Sequence, residues 1–305
     1  MKLKRLGAGG CEFTKEILDL HFEKLEKDEQ LVIDEGWGYQ GEHISEKIAG
    51  EWIKEHDRNK LFVIDKLPLF FQLYEQKFGK SIYSMNDTEL NNAVRTVLSE
   101  QLSLLNVKYF DCYMLHAIFD MQHSKDYDIE QDIDLYKRLT PILLKLKEDG
   151  LIKNIGFSAH ITYERLSYFL SEVDPENKVF NYAEISYNIL NSKGAPNWCS
   201  KQTGIMIWDA IGERGIKYLK SLGYTIIDCM PLESGRVCQI NTSDSFMGWA
   251  REFVYNNKDI DIILAGTKSE NHLKQWFRTI EGKHFVDIPD MREIPNMKHC
   301  GGGGF

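Results

Sequence analysis

The chain has 305 residues, 43% of them hydrophobic and 27% charged, which supplies enough apolar side chains to fill one large core. Its formal net charge of -9 argues against binding a nucleic-acid backbone, which needs a basic face. The six cysteines (Cys11, Cys112, Cys199, Cys229, Cys238 and Cys300) form no C-x-x-C pair, so zinc-ribbon and ferredoxin spacing is absent. No metal site is expected, and a disulfide framework is not expected in a chain this large. Reduced thiols and a cytoplasmic setting are. The opening stretch MKLKRLGAGGCEFTKEILDL lacks the apolar run of a signal peptide, and no membrane span is expected.

Short β-rich runs alternate with amphipathic stretches along the chain. Strands are predicted at Lys4–Gly7, Leu31–Asp34, Leu61–Lys66, Tyr109–His116, Ile152–Ser158, Val179–Tyr187, Tyr224–Pro231 and Asp261–Gly266. LFVID, YTIID and DIILAG are apolar on both faces, as in strands covered on both sides. Ile44, Ile48, Ala49, Trp52 and Ile53 make one helical stripe. Leu90, Val94, Val97, Leu98, Leu102 and Leu105 make a longer one, entered through Asn86-Asp87. Pro141 interrupts the next pattern and predicts a kink, or two helices that meet. Leu166, Phe169 and Leu170 mark a shorter helix. Ile216, Leu219 and Leu222 mark another, closed by Gly223.

Eight strands, each followed by a helical stretch, predict a closed α/β architecture, the (β/α)8 TIM barrel, over residues 1–287. An open sheet gives a similar local pattern, but no Gly-x-Gly-x-x-Gly follows any strand. Gly7-Ala8-Gly9-Gly10 lacks the final spacing. Two segments fall outside the repeat. The connection Asn191–Ala210 reads as a lid or binding loop, with Trp198 and Trp208 anchoring it to the core or lining a pocket. Residues 288–305 form a glycine-rich tail, expected to be disordered.

In such a barrel the carboxyl ends of the strands share one face, where active sites are built. Asp34, Lys66 and His116 end the second, third and fourth strands, and Trp37 and Tyr39 follow the second. Ser158 ends the fifth, with His160 beyond it. Glu184 lies on the sixth, and Asp228 and Cys229 on the seventh. A phenol, an amine, an acid and an imidazole at one mouth point to acid–base work. A nearby ammonium favours a phenolate, so Lys66 is expected to lower the pKa of Tyr39, with Asp34 holding Lys66 in place. Tyr39 would then protonate a carbonyl oxygen while His116 orients it. The plainer alternatives are a structural rim ion pair, a surface tyrosine and a hydrogen-bonded rim histidine.

LVIDEGWGYQGEHISEKIAGEWI resembles the aldo-keto reductase stretch Asp-Thr-Ala-x-x-Tyr-Gly followed by Ser-Glu and a helix. Asp34 and Tyr39 fall on its Asp and Tyr. LFVIDK is similar to the family's next strand, with Lys66 on its lysine, and YFDCYMLH to the strand that ends in its histidine, here His116. LKEDGLIKNIGFSAH, ISYNILN, MPLESG and LAGTKSENHL follow in the family's order, so the resemblance runs over residues 4–280. It implies a TIM barrel in which Asp34, Tyr39, Lys66 and His116 are catalytic. It also implies a nicotinamide cofactor and a carbonyl or alcohol substrate.

The resemblance places the cofactor contacts at Ser158, Glu184, Cys229, Gly266, Lys268 and Ser269. Lys268 suits a 2′-phosphate, which favours NADP(H) over NAD(H). The family's usual Ser, Asn, Gln and stacking Tyr fall on Ser158, Ala159, Glu184 and Cys229, so only the serine is kept. Residues further on that usually hold the adenosine are replaced near Gln275 and Trp276. The Ser-x-His at Ser158–His160 resembles the branch often fused to a ferredoxin-like tail, without that tail's cysteine cluster. No hairpin precedes the first strand, although many members carry one. Trp37 reads as a substrate-stacking ring or a barrel cap. His160 reads as a substrate or cofactor contact, or as a histidine without a role at a helix start. The altered cradle leaves two further readings beside a reductase: a redox-neutral epimerase or lyase with tightly held nucleotide, and a non-catalytic regulatory or binding barrel. The oligomeric state is not legible.

Overall fold

The computed structural model describes residues 1–119, 128–194, 208–239 and 242–282. Trp198, Cys199, Cys300 and the glycine-rich tail lie outside the described residues. Nine strands are found among those described: β1 (Lys2–Leu3), β2 (Leu6–Gly9), β3 (Glu29–Asp34), β4 (Leu61–Leu67), β5 (Cys112–Ile118), β6 (Ile155–Ala159), β7 (Tyr182–Ile185), β8 (Thr225–Asp228) and β9 (Ile262–Ala265). Strands β2 to β9 pair in parallel around a ring, and β2 closes it by pairing with both β3 and β9. This is the eight-stranded barrel that the alternation predicts. β1 is a two-residue addition that runs parallel to β3.

The helices are α1 (Lys15–Glu23), α2 (Ile44–Lys54), α3 (Phe71–Phe78), α4 (Asp87–Leu104), α5 (Ile129–Glu148), α6 (Tyr163–Val173), α7 (Gly212–Ser221), α8 (Asp244–Asn256) and α9 (Glu270–Ile280). Asn86 caps α4 through a full capping box with Glu89. Gly223 takes φ +87° just past the end of α7, where a side chain would be strained. The stretch around Pro141 is one 20-residue helix, not two. The proline gives up one intrahelical bond, and burial of Ile133, Leu139, Leu143 and Leu146 offsets the loss.

The fourth predicted strand starts later than expected. At Asp111 the backbone donates to the Val63 carbonyl at 2.9 Å, but the return bond from Val63 N goes to the Asp111 side chain, Oδ2, at 2.9 Å. The sixth and seventh are trimmed at both ends, because bends to the flanking loops break the pairing beyond Tyr182–Ile185 and Thr225–Asp228.

Strand alternation divides the apolar residues into two cores. Val32, Phe62, Ile64, Cys112, Met114, Ile227, Ile262 and Leu264 fill the barrel interior. Leu31, Ile33, Leu61, Val63, Tyr113, Leu115, Phe157 and Ala183 point outward and pack with the helices. Two packing constraints give direct tests. Gly50 faces the end of α4 so closely that a Cβ would stand 2.0 Å from the carbonyl oxygen of Leu104. Gly50→Ala is therefore expected to lower stability by roughly 3 kcal/mol, read from urea denaturation. An unchanged midpoint would show that the two helices separate freely.

His21 is fully buried with neither ring nitrogen hydrogen-bonded, edge-on to Phe277 at 5.8 Å. Burial, with Lys4 nearby, pushes its pKa down to about 3. The unfolded chain therefore binds a proton below about pH 6.5 that the folded chain refuses, and stability falls as the pH drops. Relative to His21→Leu, the native chain should lose about 2 kcal/mol between pH 7 and pH 5. Parallel denaturation curves for the two proteins across that range would contradict this.

Candidate active site

The interior rows of the barrel change character at their carboxyl ends. Val32 is followed two residues on by Asp34, Ile64 by Lys66, Met114 by His116 and Gly156 by Ser158. Tyr182 leads to Glu184, Ile227 to Cys229 and Leu264 to Gly266 by the same step. Period-two alternation thus carries each apolar row into one polar layer at the mouth.

Lys66 is the centre of that layer. Its Nζ is fully buried, 2.5 Å from Asp34 Oδ1, 2.9 Å from the Glu35 carbonyl and 3.2 Å from Glu184 Oε2. Burial alone would pull its pKa down, but Asp34 and Glu184 hold it well above the ordinary lysine value, so Lys66 stays an ammonium. The backbone beside it is fixed from outside the barrel. Gln101 of α4 donates to Asp65 Oδ1 at 2.9 Å and to the Lys66 carbonyl at 2.8 Å, and Tyr113 donates to Gln101 at 2.6 Å.

Tyr39 reaches the same centre from the loop after β3. Its hydroxyl lies 3.3 Å from His116 Nε2, and Lys66 Nζ stands 5.3 Å from its ring centroid. His116 sits at a bulge between Leu115 and Ile118, where Ala117 takes φ +48°; such a bulge re-aims side chains. Burial, with Lys66 and His160 adding to it, pushes the pKa of His116 down to about 3, so the imidazole is neutral near pH 7.

Tyr39 corrects one expectation. Its pKa is held well above the ordinary phenol value, not below it. Burial dominates. Lys66 pulls down, but Asp34, Cys11 and Glu184 push up, so the ammonium's field is offset by its own counter-ions.

The Tyr39 loop is held in an unusual shape. Gly38, Gln40, Gly41, Glu42 and His43 all take positive φ. The buried Glu46 Oε2 accepts from Gly38 N at 3.0 Å and lies 2.7 Å from His43 Nδ1. Gln40 donates to the carbonyls of Gly10 and Phe13. Ser45 Oγ stands 2.6 Å from the Gly10 carbonyl and 2.7 Å from Glu35 Oε2. Burial holds Glu35 well above the usual carboxyl range, against the lowering pull of the Ser45 hydroxyl that faces it.

The remaining predicted residues are placed as follows. Ser158 Oγ accepts from Ala117 N at 2.7 Å, which leaves its hydroxyl proton for a ligand. Cys229 Sγ points to the Ile185 carbonyl at 3.3 Å. Asp228 fastens loop backbone, accepting from Tyr187 N and Met230 N. Gly266 follows β9. Lys268 pairs with Glu12 at 3.4 Å on the surface, and Ser269 caps α9. His160 lies before α6, 5.5 Å from the Trp208 ring. Trp37 packs edge-on to His43 at 4.6 Å, in the Tyr39 loop.

Two residues at the mouth were missed from sequence. Phe70 lies against His116 at 5.6 Å, and Cys11 lies in the electrostatic reach of Lys66 and Tyr39. Both follow strand ends, so the rule that placed the others also reaches them.

The long connection is anchored at its ends. Glu233 Oε2 accepts from Asn188 at 2.6 Å and Asn191 at 3.1 Å and lies 3.3 Å from Ser186 Oγ, while Oε1 accepts from Trp208 N at 2.8 Å. Glu233 and Ser234 take positive φ to reach this position.

A barrel with this layer at its mouth defines a class that the sequence itself identifies. The pattern of the Aldo/keto reductase family matches residues 27–287, and the chain belongs to that family. Its fold is similar to that of an aldo/keto reductase from Klebsiella pneumoniae in complex with NADP and acetate: TM-score 0.64, 14% identity, 96% of this chain and 90% of that one. It is also similar to an aldo-keto reductase from Bacillus halodurans in holo form: TM-score 0.62, 15% identity, 97% and 91% coverage. An aldose reductase from Schistosoma japonicum gives TM-score 0.55, 15% identity and coverage of 97% and 87%. Comparison with curated proteins finds no match.

Gly36 supplies a test of the site. A Cβ there would stand 2.6 Å from Tyr39 Cζ and 2.9 Å from its hydroxyl oxygen. Gly36→Ala is expected to push the ring aside and break the contact with His116 while the melting temperature changes little. The imidazole 15N shift of His116 reads this directly, and an unchanged shift would mean that the loop absorbs the methyl.

Proposed function

We propose that the chain is a nicotinamide-dependent oxidoreductase that interconverts a carbonyl and an alcohol. The observation that carries this reading is the Tyr39 hydroxyl, 3.3 Å from the neutral His116, beside the buried Lys66–Asp34 pair. A phenol kept protonated is a proton donor, as reduction of a carbonyl requires. His116 Nε2 can hydrogen-bond the same substrate oxygen and orient it, and Phe70 supplies an apolar wall beside it. Tyr39, Lys66, Asp34 and His116 are the catalytic group in this reading, with Trp37 and His160 as substrate contacts.

A nicotinamide cofactor fits the residues present. Glu184 Oε2 is buried, close to Lys66 yet without a directed hydrogen bond, and can accept from an amide. Ser158 retains a proton to donate. Lys268 and Ser269 stand at the amino terminus of the 11-residue α9, where helix dipole and lysine charge both favour a phosphate. When bound, the cofactor supplies the hydride; the chain orients the carbonyl and delivers the proton. NADP(H) is favoured over NAD(H) by Lys268, and the NADP complex from Klebsiella pneumoniae supports the same preference.

A redox-neutral reaction with held nucleotide is the second reading. It is favoured by the departures at Glu184 and Cys229, both engaged within the barrel. The test titrates the protein with NADPH and NADH by nicotinamide fluorescence, then follows NADPH consumption against a panel of aldehydes, ketones and sugars. Binding of NADPH weakened by Lys268→Ala, with turnover reduced 100-fold or more in folded Tyr39→Phe, is expected. Bound nucleotide with no net consumption would favour the redox-neutral reading. Near-native turnover in Tyr39→Phe would remove Tyr39 from its role.

A further inference from the structure

The Lys66 ammonium is approached by two buried carboxyl groups. Asp34 Oδ1 is at 2.5 Å and Glu184 Oε2 at 3.2 Å, both side chains about 5% exposed. The two carboxyls thus flank one Nζ inside the same dry layer. Ionised carboxylates only accept hydrogen bonds and repel each other, so two of them on one buried ammonium are favourable only when one holds a proton. With both ionised, the three groups would carry net charge -1 in a dry layer; with one proton held they are neutral.

The groups that face Glu184 do not relieve that charge. They are Asp34 and Lys66 from β3 and β4, Cys112 from β5, His160 after β6, and Asp228 and Cys229 at the end of β8. Tyr39 and Cys11 lie beyond Lys66. Lys66 is the one permanent cation among them, and burial disfavours charge on His160.

We propose that Glu184 is a positioning residue for Lys66 and that its presence keeps one proton on Asp34 at neutral pH, so that the buried layer is electrically neutral beneath Tyr39. The proton has two effects. It keeps a single net counter-charge on Lys66, and it gives the Asp34–Glu184 pair one donor. Burial and the neighbouring Glu184 both raise the Asp34 carboxyl above its usual range, in keeping with a held proton. The consequence for catalysis rests on the oxidoreductase reading; the protonation itself does not.

The experiment is carbon-13 NMR of the full chain with carboxyl-labelled aspartate and glutamate, assigned with Asp34→Asn and Glu184→Gln. In the native protein one of the two resonances should be in the protonated position at pH 7. In Glu184→Gln, Asp34 should be fully ionised at pH 7, because Lys66 then faces a single carboxylate, and its midpoint should fall by at least one pH unit. Glu184→Asp, which keeps the charge, should restore the higher midpoint, a recovery that a purely structural role would not produce.

Both carboxyls ionised at pH 7 in the native chain would overturn the proposal. So would Asp34 remaining protonated in Glu184→Gln, since burial alone would then hold the proton. If Glu184→Gln does not fold, Asp34→Asn gives the reciprocal decision at Glu184. No turnover is needed, so a chain without reductase activity still answers the question.

Discussion

A buried ammonium fixes most of what surrounds it. Taking Lys66 out of water costs several kcal/mol unless its N–H groups and its charge are met. Asp34, the Glu35 carbonyl and Glu184 meet them from three sides. This ties the ends of three strands together, since β4 carries Lys66, β3 carries Asp34 and β7 carries Glu184. It also sets what the phenol above can do. A lone ammonium would favour a phenolate, whereas burial of the phenol, with the ammonium's field offset by Asp34 and Glu184, leaves Tyr39 protonated.

The loop that carries Tyr39 is built to a matching tolerance. Three non-glycine residues, Gln40, Glu42 and His43, hold left-handed backbone, each costing on the order of 1–3 kcal/mol. The cost is offset by polar groups that reach in from α2 and from the turn after β2: Glu46 on Gly38 and His43, Gln40 on Gly10 and Phe13, Ser45 on Gly10. Strain concentrated in one loop and restrained by buried hydrogen bonds is how a side chain outside the regular scaffold keeps a fixed position.

Much of this was legible in the sequence for one reason. In a strand, residues two apart share a face, so apolar rows that end in Asp34, Lys66, His116 and Ser158 announce both the barrel interior and the layer that closes it. The helices around it were legible where a stripe was long or capped, as at Asn86 and Gly223. Shorter elements such as α1 and α3 gave weaker periodicity. Contacts between strands far apart in the chain were not legible. Nothing in YAEISYN tells that Glu184 lies on Lys66, because that depends on how eight strands close. The shift of Tyr39 was misread for the same reason, since its sign rests on the sum of charges and burial. Phe70 and Cys11 were within reach of the strand-end rule but carry no charge to draw notice.

The clasp at Glu233 has a separate consequence. The chain leaves the barrel near Asn191 and returns at Trp208, and both points are pinned to a single carboxylate. Asn188 and the turn that carries Glu233 meet at the same carboxylate, so separate points of chain share one fastening. Removing that one side chain would release all of them together, which makes Glu233 a keystone for this edge of the barrel.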